Sequence, residues 1–137
     1  MTKSVKLVEN KDFDHKQVLN LYHLNGWSSA NKPDLLLKAL INSDSLVLAY
    51  IDKELVGLGN AISDGFLVVY YPHLLVHPEY KGLGIGRKIM ERIQEKYQTF
   101  HQQMLIADKN STGFYKKCGF EKAGKTQSMW IYSGSEH

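Results

Sequence analysis

The stretch Leu74-Leu75-Val76-His77-Pro78-Glu79-Tyr80-Lys81-Gly82-Leu83-Gly84-Ile85-Gly86-Arg87 constrains this chain more than any other. A short apolar run reads as a strand and stops at a proline. A loop with alternating glycines follows and opens directly into a helix. On that helix Ile85, Ile89, Met90, Ile93 and Tyr97 form one stripe, and Lys88, Glu91, Arg92, Glu95 and Lys96 cover the other face. A helix N-terminus carries unpaired backbone N–H groups and the positive end of the helix dipole. Glycines just before it let the backbone close on an anion without a Cβ in the way. The order strand, glycine loop, helix therefore points to a phosphate or pyrophosphate, and the loop alone leaves open which.

Two familiar phosphate loops fail against it. The P-loop needs Gly-Lys followed by a hydroxyl residue, whereas Gly86 precedes Arg87 and Lys88. The dinucleotide fingerprint needs a third glycine where Arg87 stands, and it belongs in the first strand–helix unit of its domain. What remains, Gly82-x-Gly84-x-Gly86-Arg87, resembles the acetyl-CoA pyrophosphate loop of the GNAT superfamily of N-acetyltransferases. That family's pattern is Gln or Arg, two residues, Gly, one residue, then Gly or Ala. Lys81 stands at its first position here, and lysine is a point charge without the planar fork of arginine.

The resemblance extends beyond the loop. Gly113-Phe114-Tyr115-Lys116-Lys117-Cys118-Gly119-Phe120 is similar to the family's second signature, a Phe-Tyr-x-x-x-Gly-Phe helix end. Leu55-Val56-Gly57, after a turn at Asp52-Lys53, looks like its central hairpin. The segment Leu21 to Asp34, with Gly26-Trp27, resembles small bacterial members. Ala107-Asp108 through Phe114-Tyr115 is similar to plant-type serotonin N-acetyltransferases, which carry an acidic residue at the matching place. The likeness covers residues 4 to 132. It implies an α/β chain in the GNAT acyltransferase fold: a mixed, mostly antiparallel central sheet with splayed strands and about four helices.

Composition agrees with one such domain over residues 1–137. The chain is 43% hydrophobic, enough for one ordinary core. No window approaches a membrane span, and no apolar signal core follows Met1. A single cysteine fits a reducing, cytoplasmic setting. A net charge of +3 is too small to argue for nucleic acid. Neither nucleic acid nor membrane is therefore expected as a partner; the resemblance implies a small-molecule amine as acceptor, and room is left for a homodimer.

The pattern predicts strands at Val5–Glu9, Leu46–Ile51, Leu55–Ile62, Phe66–Val76, Met104–Ala107, Phe120–Ala123 and Met129–Tyr132. It predicts helices capped at Asp12, started by Pro33 and Asp34, running from Gly84 to Tyr97, and from Ser111 to Cys118. Pro72 falls inside the long strand. Proline is confined to edges and bulges, so the residue reads either as an edge or, by the resemblance, as the bulge that splays this strand from the next. The family's pantetheine arm enters that gap, so Leu75 and Val76 would offer it main-chain groups.

The resemblance implies the remaining roles. Lys81, Gly82, Leu83, Gly84, Ile85, Gly86 and Arg87 would hold the pyrophosphate of acetyl-CoA, with Arg87 as a second cation. Tyr115 occupies the tyrosine position near the CoA sulfur, as general acid or hydrogen-bond donor. Asp108, at a strand end, and His73, on the splayed strand with an ordinary pKa of roughly 6.5, compete as the base. Trp27, Tyr70 and Tyr71 are candidates for an aromatic acceptor wall. His73 and His77 would lie about 13 Å apart on a strand at ~3.3 Å per residue, so no metal is expected. Three functions stay open: acetyl transfer to a small amine by direct attack in a ternary complex, acetylation of a protein N-terminus or lysine, and a non-catalytic acyl-CoA sensor.

Overall fold

Alternation along the strands decides which helix covers which side of the sheet. The computed structural model describes residues 4–135. In chain order these form β1 (Lys6–Val8), α1 (His15–Leu24), a 3-10 turn (Ser28–Asn31), α2 (Pro33–Ile41), β2 (Ser45–Ile51) and β3 (Glu54–Ser63). Then come β4 (Val68–Tyr70), β5 (Leu74–Val76), a 3-10 turn (Pro78–Tyr80), α3 (Ile85–Gln94) and its 3-10 extension (Glu95–Tyr97). The last elements are β6 (Gln102–Met104), a 3-10 turn (Lys109–Ser111) and α4 (Thr112–Lys117). Leu46, Leu48, Leu58 and Leu75 pack with Val18, Leu21 and Tyr22 of α1 and Leu36 and Leu40 of α2. Val47 and Ala49, the other parity on β2, pack with Ile85, Ile89, Met90 and Ile93 of α3, as do Val69 and, at the register shift opposite Ala49 and Tyr50, Val56. The mixed α/β architecture and mostly antiparallel sheet agree with the sequence reading.

α1 starts two residues later than expected. Asp14, not Asp12, is the cap, its carboxylate accepting from the backbone N–H of Lys16 at 2.9 Å and of Gln17 at 3.4 Å. The Asp12 backbone N–H instead donates to Asn10 Oδ1 at 3.0 Å.

The sheet order is β1-β2-β3-β4-β6, with β5 also paired to β3. All pairs are antiparallel except β4–β6. The long strand expected over Phe66–Val76 is thus two short ones sharing β3. Gly59 pairs with Leu74, and Ile62 with Tyr70. Between those pairs β3 advances from 59 to 62 and its partner recedes from 74 to 70, so one residue is extra in the stretch holding Pro72. That is a β-bulge, and proline's missing N–H makes the interruption inexpensive there. β6 follows β4 in parallel, Val68↔Gln102 to Tyr70↔Met104, and the Tyr71 N–H reaches Met104 O at 3.0 Å. Beyond that bond β5 stays with β3 while the other strand leaves as residues 105–107. The sheet splits there.

Three further expected strands differ. The short strand lies at Gln102–Met104 and not over Met104–Ala107, because the ladder with β4 ends at the bulge. Neither Phe120–Ala123 nor Met129–Tyr132 forms a strand; among the described residues, chain beyond α4 joins no ladder.

α3 lies close on the sheet because two strand positions lack side chains. A Cβ on Gly59 would lie 2.7 Å from Ile89 Cγ2 and 2.9 Å from Ile93 Cδ1. Gly59→Val should therefore overpack this interface and cost about 1–3 kcal/mol, read as a lowered urea midpoint. An unchanged midpoint would mean that α3 moves away freely.

Candidate functional site

The two edges of the split carry the candidate groups. On one side β5 runs into the Pro78–Tyr80 turn, the glycine loop and α3. On the other, residues 105–107 run into Asp108, the Lys109–Ser111 turn and α4. The first turn of α3 joins the two sides. A Cβ on Gly86 would lie 3.3 Å from Phe114 Cζ on α4 and 3.5 Å from Val76 Cγ2 on β5. Tyr115 follows Phe114, their rings edge-on at 5.0 Å.

The loop geometry suits an anion. Gly84 is the N-cap of α3 in the left-handed region, φ 80°, and no side chain caps the helix. Gly82 is also left-handed, φ 83°, and neither glycine has anything within 4 Å of a Cβ position. Glycine is needed here for backbone conformation. The first intrahelical bond in this turn is Lys88 N–H to Gly84 O at 3.1 Å, so the preceding N–H groups at Ile85, Gly86 and Arg87 lack intrahelical acceptors. Lys81 and Leu83 are exposed on the loop, and Lys81 forms no ion pair among the described residues. Arg87, the expected second cation, is exposed in the first turn of α3, where its Nε donates to Glu91 Oε1 at 2.9 Å, one turn along the helix. These residues fit a pyrophosphate held by backbone N–H groups and Lys81.

Hydrogen-bond parity on β5 shifts one assignment. His77 N–H donates to Val56 O at 2.8 Å, and His73 O accepts from Asn60 N–H at 3.1 Å. Positions 73, 75 and 77 therefore turn their main-chain groups to β3. Leu75, expected to offer such groups to the gap, is committed to Leu58 by the same register. Leu74 and Val76 face outward instead. Val76 O already accepts from Asn25 Nδ2 at 3.2 Å, and Asn25 also donates to Leu21 O at 2.9 Å, tying the end of α1 to this strand.

His73 is occupied and neutral. Its Nδ1 lies 2.7 Å from Tyr22 Oη. Burial pushes the Tyr22 phenol well above its ordinary range and pulls His73 down to about 4. A protonated phenol beside a neutral imidazole donates to Nδ1, which places the imidazole proton on Nε2. The lone pair facing Tyr22 is thus spent, and the ordinary pKa that recommended His73 as a base does not survive burial. Trp27 packs edge-on to His73 at 5.1 Å and to Tyr22 at 5.9 Å, stapling the connection after α1 to the splayed strand. Asn60, nearly fully buried, donates to Ser43 Oγ at 3.0 Å and accepts from His73 N–H at 3.0 Å.

Tyr71 also departs from its expected place. Strand alternation turns it away from Tyr70 and into the core, where its hydroxyl donates to Gln103 Oε1 at 2.7 Å and its ring meets Tyr97 and Phe120. Tyr70 remains half-buried on β4. Tyr115 is partly buried, and its phenol is pushed up to about 12, first by burial, then by Cys118 and Asp108 nearby. It is a proton donor at neutral pH. Asp108 is exposed and precedes the 3-10 turn without capping it through its side chain. Burial pushes the Cys118 thiol up, the wrong direction for a nucleophile.

Sequence reasoning missed Leu74, Asn25 and Asn60. A polar Asn60 inside an apolar strand was a readable signal, whereas Leu74 becomes visible only through its register and Asn25 only through its contact.

Comparison with known proteins fits this geometry. Residues 10–130 match the family profile described as "Acetyltransferase (GNAT) domain". The chain therefore belongs to the GNAT acetyltransferase family, whose members are acyltransferases that use acetyl-CoA. It is 27% identical over 127 residues to an uncharacterized N-acetyltransferase, ycf52, of Pyropia yezoensis, covering 88% of this chain and 72% of that one. A GNAT family acetyltransferase of Streptococcus pneumoniae TIGR4 superposes with a TM-score of 0.83 at 28% identity, covering 94% of this chain and 98% of that one. An aminoglycoside N-acetyltransferase, AAC(6')-Iy, solved with CoA shares the fold alone, with a TM-score of 0.72 at 13% identity over 98% of this chain and 97% of that one. Among the described residues no helix is long and apolar enough to cross a membrane.

The state of His73 has a testable sign. With a native pKa near 4 and an unfolded value of roughly 6.5, the unfolded chain takes the proton first. The stability contributed by neutral His73 is therefore full above pH 6.5 and is lost as pH falls toward 4. NMR of the His73 ring should show Nε2–H and no titration between pH 8 and 5.5. A midpoint near 6.5 would contradict the buried, neutral assignment.

Proposed function

We propose that this chain, as a single domain, transfers the acetyl group of acetyl-CoA to the primary amine of a small molecule by direct attack in a ternary complex. The observation that carries the reading is the convergence at the split: Val76 of β5 and Phe114 of α4, with protonated Tyr115 beside it, meet at Gly86 of the glycine loop. Acetyl-CoA supplies the acetyl carbonyl and a thiolate leaving group. Val76 and Leu74 offer outward N–H groups along β5, suited to pairing with an extended arm and to stabilising negative charge on an oxygen. Tyr115, kept protonated, is placed to donate to the departing sulfur.

The acceptor amine arrives as an ammonium and must lose a proton before its nitrogen attacks. Asp108 is the group we assign to hold the ammonium and to receive that proton through water, because its charge is felt at Tyr115 and because His73 is already committed to Tyr22. Trp27 and half-buried Tyr70 remain for the acceptor side, whereas Tyr71 does not. A phenol held as a donor beside a carboxylate has a use in turnover and none in a sensor that only binds.

Three substitutions test the roles separately. Gly84→Val, which places a β-branched residue at φ 80°, should abolish CoA binding in calorimetry while the circular dichroism spectrum is retained. Undiminished affinity would remove the loop from the site. Tyr115→Phe should lower kcat by ~10²-fold, the usual scale for a positioned proton donor, with CoA affinity little changed. Asp108→Asn should raise KM for a cationic acceptor; a variant with normal KM and kcat would leave Asp108 without a role.

A further inference from the structure

β5 ends on a peptide unit that is held from both sides. The peptide joining Val76 to His77 sends its N–H inward, to Val56 O at 2.8 Å. A trans peptide is planar with its carbonyl opposite its N–H, so Val76 O faces the split. There it accepts from Asn25 Nδ2 at 3.2 Å, and the same nitrogen donates to Leu21 O at 2.9 Å. Both partners are carbonyls, which only accept, so the nitrogen of the side-chain amide is the atom that faces them. The chain turns away at Pro78, and β5 has no further residue to steady this peptide.

Asn25 is itself fixed by the way α1 ends. Gly26 takes the left-handed position after the C-cap, φ 70°. Its N–H donates to His23 O at 3.0 Å, and the Trp27 N–H donates to Tyr22 O at 3.1 Å. These two bonds close the helix in a Schellman motif and set the backbone of Asn25 at its C-cap. From that half-buried place the side-chain amide spans the last turn of α1 and the outer edge of β5. Aspartate there would keep the shape and lose the donor; leucine would keep the size and lose both polar atoms.

We propose that Asn25 is a positioning residue for the pantetheine arm of CoA, acting through Val76 O. This rests on the CoA seat proposed above and adds the side chain that presets the strand edge the arm meets. One lone pair of Val76 O takes Asn25, and the other is left for an amide N–H of the arm. With its N–H in the ladder and its C=O on Asn25, the peptide is oriented before the ligand arrives, so less order has to be gained on binding. The pyrophosphate, at the glycine loop, makes no use of this peptide. Asn25 therefore serves one part of the ligand and not the other.

Calorimetry with two ligands reads that division: CoA, and 3′-phosphoadenosine 5′-diphosphate, which is CoA without its arm. Asn25→Asp and Asn25→Leu should each weaken CoA by roughly 3- to 10-fold, the scale of one hydrogen bond, and leave the affinity for the armless nucleotide unchanged. Equal losses for both ligands would make Asn25 merely structural, and undiminished CoA affinity in either variant would also overturn the proposal. A wild-type chain that binds neither ligand would overturn the CoA seat itself, and this role with it. NMR of the wild-type chain gives a reading that does not depend on how the variants fold. The Asn25 side-chain amide signals should shift on adding CoA and stay in place on adding the armless nucleotide; the same response to both would contradict the role.

Discussion

One surplus residue between Tyr70 and Leu74 governs the arrangement of everything downstream. Because β3 pairs with β4 and with β5 in registers that differ by that residue, the edge of the sheet is split at Pro72. The ladder between β4 and β6 runs as far as the Tyr71–Met104 bond and no farther. From there the glycine loop departs on one side and Asp108 and α4 on the other. An uninterrupted strand would have paired with residues 105–107, removing the gap and spending the outward groups of Leu74 and Val76 on another strand.

A buried polar chain keeps the split from closing or sliding. Ser43 donates to Ala39 O at 2.9 Å, Asn60 to Ser43, and His73 and Asn60 bond each other twice, with Tyr22 beside the imidazole. This chain links the end of α2, the middle of β3, the start of β5 and α1. Buried polar groups are costly unless satisfied, so the network favours one register over its neighbours. Asn25 extends the same logic to Val76 O. A carbonyl has two lone pairs, so that bond leaves room for a second donor from the gap.

Local order was legible where physics is local. The strand–glycine–helix unit, the turn at Asp52-Lys53, the Pro33 helix start and the stripe on α3 each depend on neighbours within a few positions. The bulge was readable because a proline in a strand has few explanations, and Tyr115 was found through its family position. What sequence could not give was side-chain direction and partner choice. Arg87 looked available to the loop but has Glu91 one turn away. Tyr71 looked like part of an acceptor wall, yet the bulge and strand alternation send it into the core. His73 had a useful pKa until its surroundings excluded water. Leu75 exchanged roles with Leu74 because parity is set by β3. Met129–Tyr132 reads as a strand, yet among the described residues it joins no ladder.

The central claim is that the split between β5 and the chain after β6, with the α3 N-terminus at its mouth, is the CoA seat. An amide-resolved NMR titration with CoA tests it most directly. The amides of Leu74, Val76 and Gly82 to Lys88 should shift strongly, while those of His73 and His77, bonded to β3 and its Asn60, should move little. Shifts confined to another surface, or the reverse parity along β5, would contradict the account.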